Sequence, residues 1–174
     1  MREDARDGGA ANRGSQPDDP ANPCFGCGGA NPRGMKLVFD FDQAALRVIG
    51  RFRLGPEYQG GTGFIHGGII ATVLDEVMSK VSRFSSVRAV TAELTVEYLR
   101  PVRVDEELLV EGFATRHDGR DLYHEGQIRN AAGVLLARGR ARFVIIDQER
   151  YNKKIQASAE SDAGSANAAT RTRS

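Results

Sequence analysis

Apolar residues recur along this chain with two different periods. In most of the central part they return at every second position. The segments MKLVFDFD (35–42), ALRVIGRFRL (45–54), VRAVTAELTVEYLRPV (87–102), EELLVEGFATRH (106–117), DLYHEGQIRN (121–130) and VLLARGRARFVII (134–146) therefore predict strands. A tight turn at Asp42 and Gln43 separates the first two, and the later breaks are turn chemistry: 101–105, HDGR and NAAG. One stretch, GGTGFIHGGIIATVLDEVMSK (60–80), changes period and predicts a single long helix between the second and third strands. Consecutive strands with short turns make an antiparallel sheet, and the lone helix must cover one of its faces. The expected class is α+β, with five to six strands wrapped around one long central helix. In the last strand Leu135, Ala137, Gly139, Ala141, Phe143 and Ile145 share one face and Arg138, Arg140 and Arg142 the other. The small residues at the centre of the first face would let the helix come close.

On a helical wheel of about 100° per residue, Ile69, Ile70, Val73, Leu74, Val77, Met78 and Val81 fill one half, which packs on the sheet. Ala71, Asp75, Ser79 and Ser82 lie opposite, with Thr72 beside them. Glu76 lies at the flank, four residues before Lys80, where a solvated helix pair is expected. Asp75 is the unusual acid, because its neighbours are small where a solvent face would carry long charged side chains. Either a second subunit fills that space and Asp75 hydrogen-bonds across the interface, or a substrate lies there with Asp75 as base or nucleophile.

The front of the helix adds chemistry. Its first turn presents unpaired N–H groups and the positive end of the helix dipole. Gly67 and Gly68 leave access to them, so a polarised carbonyl oxygen could bind there as in an oxyanion hole. From Gly67 to Asp75 is two turns, about 12 Å, too far for one helix to serve one carbonyl with both groups. A two-fold dimer, with the glycine end of one helix near Asp75 of the other, removes the difficulty.

Composition narrows the class. The chain has 174 residues, 27% of them charged, and a formal net charge of +1. That fits one domain with tails, and no basic excess points to nucleic acid. Residues 1–22 and 152–174 are small, polar and poor in apolar side chains, so disordered tails are expected on either side of a domain at 23–151. No signal peptide and no apolar run of membrane-spanning length is visible, which makes a cytoplasmic protein with no membrane partner the expectation. Cys24 and Cys27 form one CxxC, and zinc would need two further ligands that the neighbouring sequence does not offer. A tight turn packing near the first strand is the expected role, with a dimer-shared zinc site or a redox pair as alternatives. His66, His117 and His124 are not spaced as a metal site. No metal and no cofactor is expected.

The segments HGGIIATVLDEVM (66–78) and VTAELTVEYLRPV (90–102), with CFGCGGANPRGMKL (24–37) ahead of them, resemble the PaaI-like acyl-CoA thioesterases of the hot-dog fold superfamily. The resemblance covers roughly 24–146. It implies that the N–H of Gly67, with Gly68, polarises a thioester carbonyl, and that Asp75 of the partner subunit is general base or nucleophile. It further implies that Thr91 helps hold the attacking water and that Gln59 lies near the thioester. His66 joins this set by orienting the helix-entry loop in preference to acting as a base. A thioester is electrophilic enough for a carboxylate and an oxyanion hole to suffice without metal. Among the arginines, Arg100 and Arg103, flanking Pro101 at a strand end, are the better candidates for the phosphates of coenzyme A; Arg138, Arg140 and Arg142 fit a solvated sheet face or subunit contact equally well.

The expected function is hydrolysis of an acyl-CoA to acid and free coenzyme A, in a homodimer or homotetramer. A non-catalytic acyl-CoA binder of the same fold is the alternative, and a hydratase a more distant one. Side chains such as Ile69, Met78 and Phe84 are expected to set the depth of the acyl pocket.

Overall fold

A computed structural model describes residues 21–147, 149–151 and 153. The expected tails fall outside these residues, apart from positions 21, 22 and 153. The elements run β1 (Asp40–Asp42), β2 (Arg47–Arg53), α1 (Gly67–Val81), β3 (Ala89–Tyr98), β4 (Glu107–Asp118), β5 (Asp121–Asn130) and β6 (Leu135–Ile145). The strands form one six-stranded sheet in the order β1-β2-β4-β5-β6-β3, every neighbouring pair antiparallel. This is the expected α+β hot-dog arrangement. The chain leaves β2, passes through α1 under the sheet and enters β3 at the opposite edge.

The first strand is shorter than its alternation predicts. Only 40–42 pair with β2, while Leu37 and Phe39 are buried ahead of them. Asp42 closes the turn by accepting from the amides of Ala44 and Ala45 at 3.0 and 2.9 Å, a local alternative to the ladder.

The core lies between α1 and the inner sheet face. Val73, Leu74, Val77 and Met78 are wholly buried there, each a contribution of about 1.5–3 kcal/mol. Three glycines in register across the central strands, Gly112 opposite Gly126 and Gly126 opposite Gly139, let the helix approach. A Cβ at Gly112 would lie 2.8 Å from the Val77 carbonyl oxygen, and one at Gly139 3.1 Å from the Met78 methyl. Met78 is thus a core residue packed on the glycines, which corrects its expected place in an acyl pocket. Leu136 is also buried, because the β5–β6 ladder slips by a residue between Ile128 and Arg129 and turns it inward.

A second correction concerns the helix flank. Glu76 and Lys80 do not form a solvated pair: their side chains are 14% and 7% exposed and lie 3.8 Å apart beneath the loop that carries Cys24 and Cys27. Ser82 is buried as well, in the short 3-10 turn Ser82–Ser85 that ends α1. The wheel counted only the sheet as cover and missed the lead-in loop.

Candidate active site

Asp75 and Thr91 come together from α1 and β3, with the Thr91 hydroxyl donating to Asp75 Oδ1 at 2.8 Å. The β3–β6 ladder slips beside Thr91, which faces Phe143 while Glu93 faces Arg142. A bulge of this kind re-aims a side chain, and here it accompanies a hydroxyl turned toward the helix. Asp75 is half-buried, and Ala71, Thr72 and Ser79 around it are half-buried too. Thr72 and Ser79 turn their hydroxyls back to the helix carbonyls of Gly68 and Glu76, both at 2.9 Å. The wall beside the carboxylate therefore offers small surfaces without competing charge. Burial pushes the Asp75 carboxyl above its ordinary range; the Thr91 hydrogen bond works against this, and the neighbouring Glu76 charge adds to it.

The front of the helix is built around His66, Gly67 and Gly68. His66 is the N-cap, its Nδ1 accepting from the Gly68 amide at 2.9 Å. That bond occupies the Gly68 N–H, so the two glycines are not equivalent donors. The Gly67 N–H makes no hydrogen bond among the described residues. Tyr98, at the end of β3, reaches the same spot and donates its hydroxyl to the Gly67 carbonyl at 3.0 Å. Sequence reasoning did not find Tyr98; its exposure at 54% becomes informative only once its contact is known.

Gln59 closes the preceding loop by accepting from the Gly63 amide at 2.9 Å. The loop packs against the N-cap, since a Cβ at Gly60 would lie 3.2 Å from the His66 ring. Its far side is stitched to the segment after β3: Ile65 donates to Val102 and Val104 to Gly63, at 2.9 and 3.1 Å. Arg103 pairs with Phe64 in an isolated bridge, so the arginines flanking Pro101 lie next to the helix-entry loop.

The five candidate arginines separate by partner. Arg138 pairs with Glu97 at 2.6 Å, Arg140 with Glu97 and Glu125, and Arg142 with Asp121 at 2.9 Å. Arg100 and Arg103 are exposed and make no side-chain ion pair among the described residues. His117 bonds the Gly119 carbonyl in the β4–β5 turn, and buried His124 bonds the Met78 carbonyl at 2.8 Å; neither touches Asp75 or Gly67. Two groups of residues result, Asp75 with Thr91 and Gly67 with His66, Gln59 and Tyr98, and α1 holds them two turns apart. Among the described residues no helix is long and apolar enough to cross a membrane.

Comparison with known proteins agrees with this architecture. Residues 62–137 match the family model described as the thioesterase superfamily. The acyl-coenzyme A thioesterase THEM4 of Xenopus laevis is 29% identical over 97 residues, covering 56% of this chain and 44% of that protein. THEM4 of Rattus norvegicus is 27% identical over 118 residues, 67% of this chain and 51% of that one. The chain thus spans about half the length of the curated relatives it matches. Among solved structures, a thioesterase superfamily protein superposes with a TM-score of 0.64 at 30% identity, covering 72% of this chain and 62% of that one. The smu.793 protein of Streptococcus mutans UA159, bound to acetyl CoA, shares the fold with a TM-score of 0.58 at 22% identity, over 62% of this chain and 88% of that one.

Proposed function

We propose, from the hot-dog fold and the match of residues 62–137 to the thioesterase superfamily model, that this chain is an acyl-CoA thioesterase working with a site shared between two subunits. The observation that carries the reading is the Asp75–Thr91 pair on a helix face of small side chains, with the carboxyl raised by burial. The free Gly67 N–H two turns away on the same helix supports it. The names of the THEM4 relatives supply the substrate class.

In this reading the thioester carbonyl of one site points at Gly67 of one subunit, with Asp75 and Thr91 coming from the partner. Thr91 holds a water beside the carboxylate. Asp75 takes its proton as the oxygen adds to the carbonyl carbon, and the oxyanion that forms is stabilised by the Gly67 N–H and the helix dipole. Collapse of the tetrahedral intermediate breaks the C–S bond, giving the acid and the coenzyme A thiolate, to which the proton returns. Attack by Asp75 itself, through a mixed anhydride that water then opens, uses the same groups. A raised carboxyl pKa suits either role by making the carboxylate more basic than an exposed aspartate. His66 holds the Gly68 amide and keeps the helix entry in place, Gln59 braces the loop before it, and Arg100 with Arg103 meets the nucleotide phosphates. The domain comprises 23–151.

The test is thiol release from a panel of aromatic and aliphatic acyl-CoAs by wild type and by Asp75→Asn. Loss of the carboxylate should lower turnover by roughly 10²–10⁴-fold. Tight binding of acyl-CoA by wild type with no thiol released would make the protein a binder and Asp75 an interface residue.

A further inference from the structure

The lead-in loop before β1 folds onto the flank of α1 in a way that the catalytic reading does not use. Its turns are closed by Gly28 donating to the Cys24 carbonyl at 3.0 Å and Ala30 to the Asn22 carbonyl at 3.1 Å. Met35 and Leu37 donate back to the Phe25 and Gly26 carbonyls, at 2.8 and 2.9 Å. The loop thereby sets both cysteines over Glu76. The Cys24 thiol donates to Glu76 Oε1 at 3.2 Å, and Lys80 Nζ lies 3.1 Å from Cys27 Sγ. The two sulfurs and a carboxylate oxygen all lie within 4.8 Å of one another.

We propose that Cys24, Cys27 and Glu76 bind a zinc ion that clamps the lead-in loop to α1. The CxxC supplies two soft donors at the usual chelating spacing, and the helix supplies a third from 49 residues beyond Cys27. Magnesium and calcium, which need several oxygen ligands, are poorly served by one carboxylate and two sulfurs. Water completes the coordination.

Three features of the loop and helix are compatible with a metal centre. Glycine leaves room where the carboxylate enters: a Cβ on Gly26 would lie 2.5 Å from the Glu76 carboxyl carbon and would displace that side chain. Gly28 is required by the tightness of the turn itself, a Cβ there lying 2.5 Å from the Cys24 amide nitrogen. Charge is the third feature. Two thiolates and a carboxylate exceed the charge of a zinc ion by one negative unit, and Lys80, 7% exposed, stands beside them with one positive unit. Asn22 adds a side-chain N–H at 3.9 Å from Cys27 Sγ, so the sulfur has the outer donors that orient and tune metal thiolates. Uptake releases a proton from each cysteine still protonated, which exchanges the Cys24–Glu76 hydrogen bond for two bonds to the metal. Because Glu76 follows Asp75 on the helix, the clamp would fix the rotation of the turn that carries the catalytic carboxylate, without touching substrate.

The experiment uses the full chain, stripped with chelator under reducing conditions and titrated with zinc or cobalt(II). One metal per chain is expected, with a sulfur-to-cobalt charge-transfer band that zinc displaces. Zinc should also slow alkylation of Cys24 and Cys27 by roughly tenfold or more, read peptide by peptide by mass spectrometry, and raise the melting temperature. The Cys24→Ser/Cys27→Ser double variant should lose the band. Glu76→Gln, which removes a ligand, should retain some of it with affinity for zinc weakened by at least about tenfold. Substoichiometric uptake by wild type, an unprotected cysteine pair, or a band that survives in the double variant would overturn the proposal. So would a Cys24–Cys27 disulfide whose reduced form takes no metal. The wild-type titration and the alkylation rates decide even if a variant fails to fold.

Discussion

Two titratable groups, half-buried Asp75 and buried His124, give this fold opposite responses to acid. The Asp75 carboxyl is raised above 3.8, so ionising it costs more in the folded than in the unfolded chain. Its charge is therefore destabilising at neutral pH; the penalty fades as pH falls through the raised folded value and is gone below 3.8, where both states are protonated. Asp75→Asn, which can still accept from Thr91, should raise the melting temperature at pH 7 while turnover is lost, and the gain should shrink toward pH 3; thermal melts across a pH series would check it. A lower melting temperature at pH 7 would contradict the burial argument. His124 is lowered from 6.5, first by burial, with its Met78 hydrogen bond opposing. Its neutral form is the one that folds, so its contribution is complete above 6.5 and is lost as pH falls through the lower folded value. His124→Gln should flatten the decline in stability as pH falls below 6.5, measured by urea unfolding at each pH. The sequence named Asp75 by the smallness of its neighbours, but nothing in DLYHEGQ marked His124 as a buried donor to the helix.

At the scale of elements, the contact between α1 and the sheet depends on glycines that lie side by side on β4, β5 and β6. Gly112 faces backbone, the Val77 carbonyl oxygen, which has no room to yield; Gly139 faces the end of Met78, which can rotate away. Gly112→Ala should thus cost about 1–3 kcal/mol and more than Gly139→Ala, compared by denaturant unfolding. Equal costs would mean that the helix shifts as a body. Periodicity revealed the small residues of β6 because they alternate with arginines. It could not show that the glycines of β4 and β5 fall in register with Gly139, since register is a property of pairs of strands. The same limit explains Glu76 and Lys80: their spacing fits a solvated pair, and only the loop folded over them makes them nearly inaccessible.

At the scale of the whole molecule, the two halves of the proposed site sit two turns apart on one helix, and the proposed reading has a second chain bring them together. Gly67 is the first helical residue, where proline is tolerated, and the preceding His66 is extended with ψ of 137°. Gly67→Pro therefore removes the proposed oxyanion donor while leaving the helix able to form. If the site is shared, the Gly67→Pro and Asp75→Asn proteins, each inactive alone, should regain about a quarter of wild-type activity when unfolded together and refolded in equal amounts, because half the dimers hold one intact site of two. No recovery, with mixed dimers verified by native mass spectrometry, would place both groups of each site in one chain. Arg100→Ala with Arg103→Ala should raise KM for acyl-CoA and weaken its dependence on salt, with a smaller effect on kcat.

The sequence by itself determined the class of fold, the single helix and its buried face, the antiparallel sheet and the acid worth testing. These follow from local periods and from neighbours one or two turns away, which a chain carries whatever its partners. Tertiary structure alone decided which glycines meet the helix, that His66 takes up the Gly68 amide and leaves Gly67 open, that Tyr98 reaches the helix entry, and that Glu76 belongs with Cys24 and Cys27. Each of these joins residues on different elements or on either side of a turn. No local pattern encodes such contacts, because they depend on how closely the packed surfaces approach.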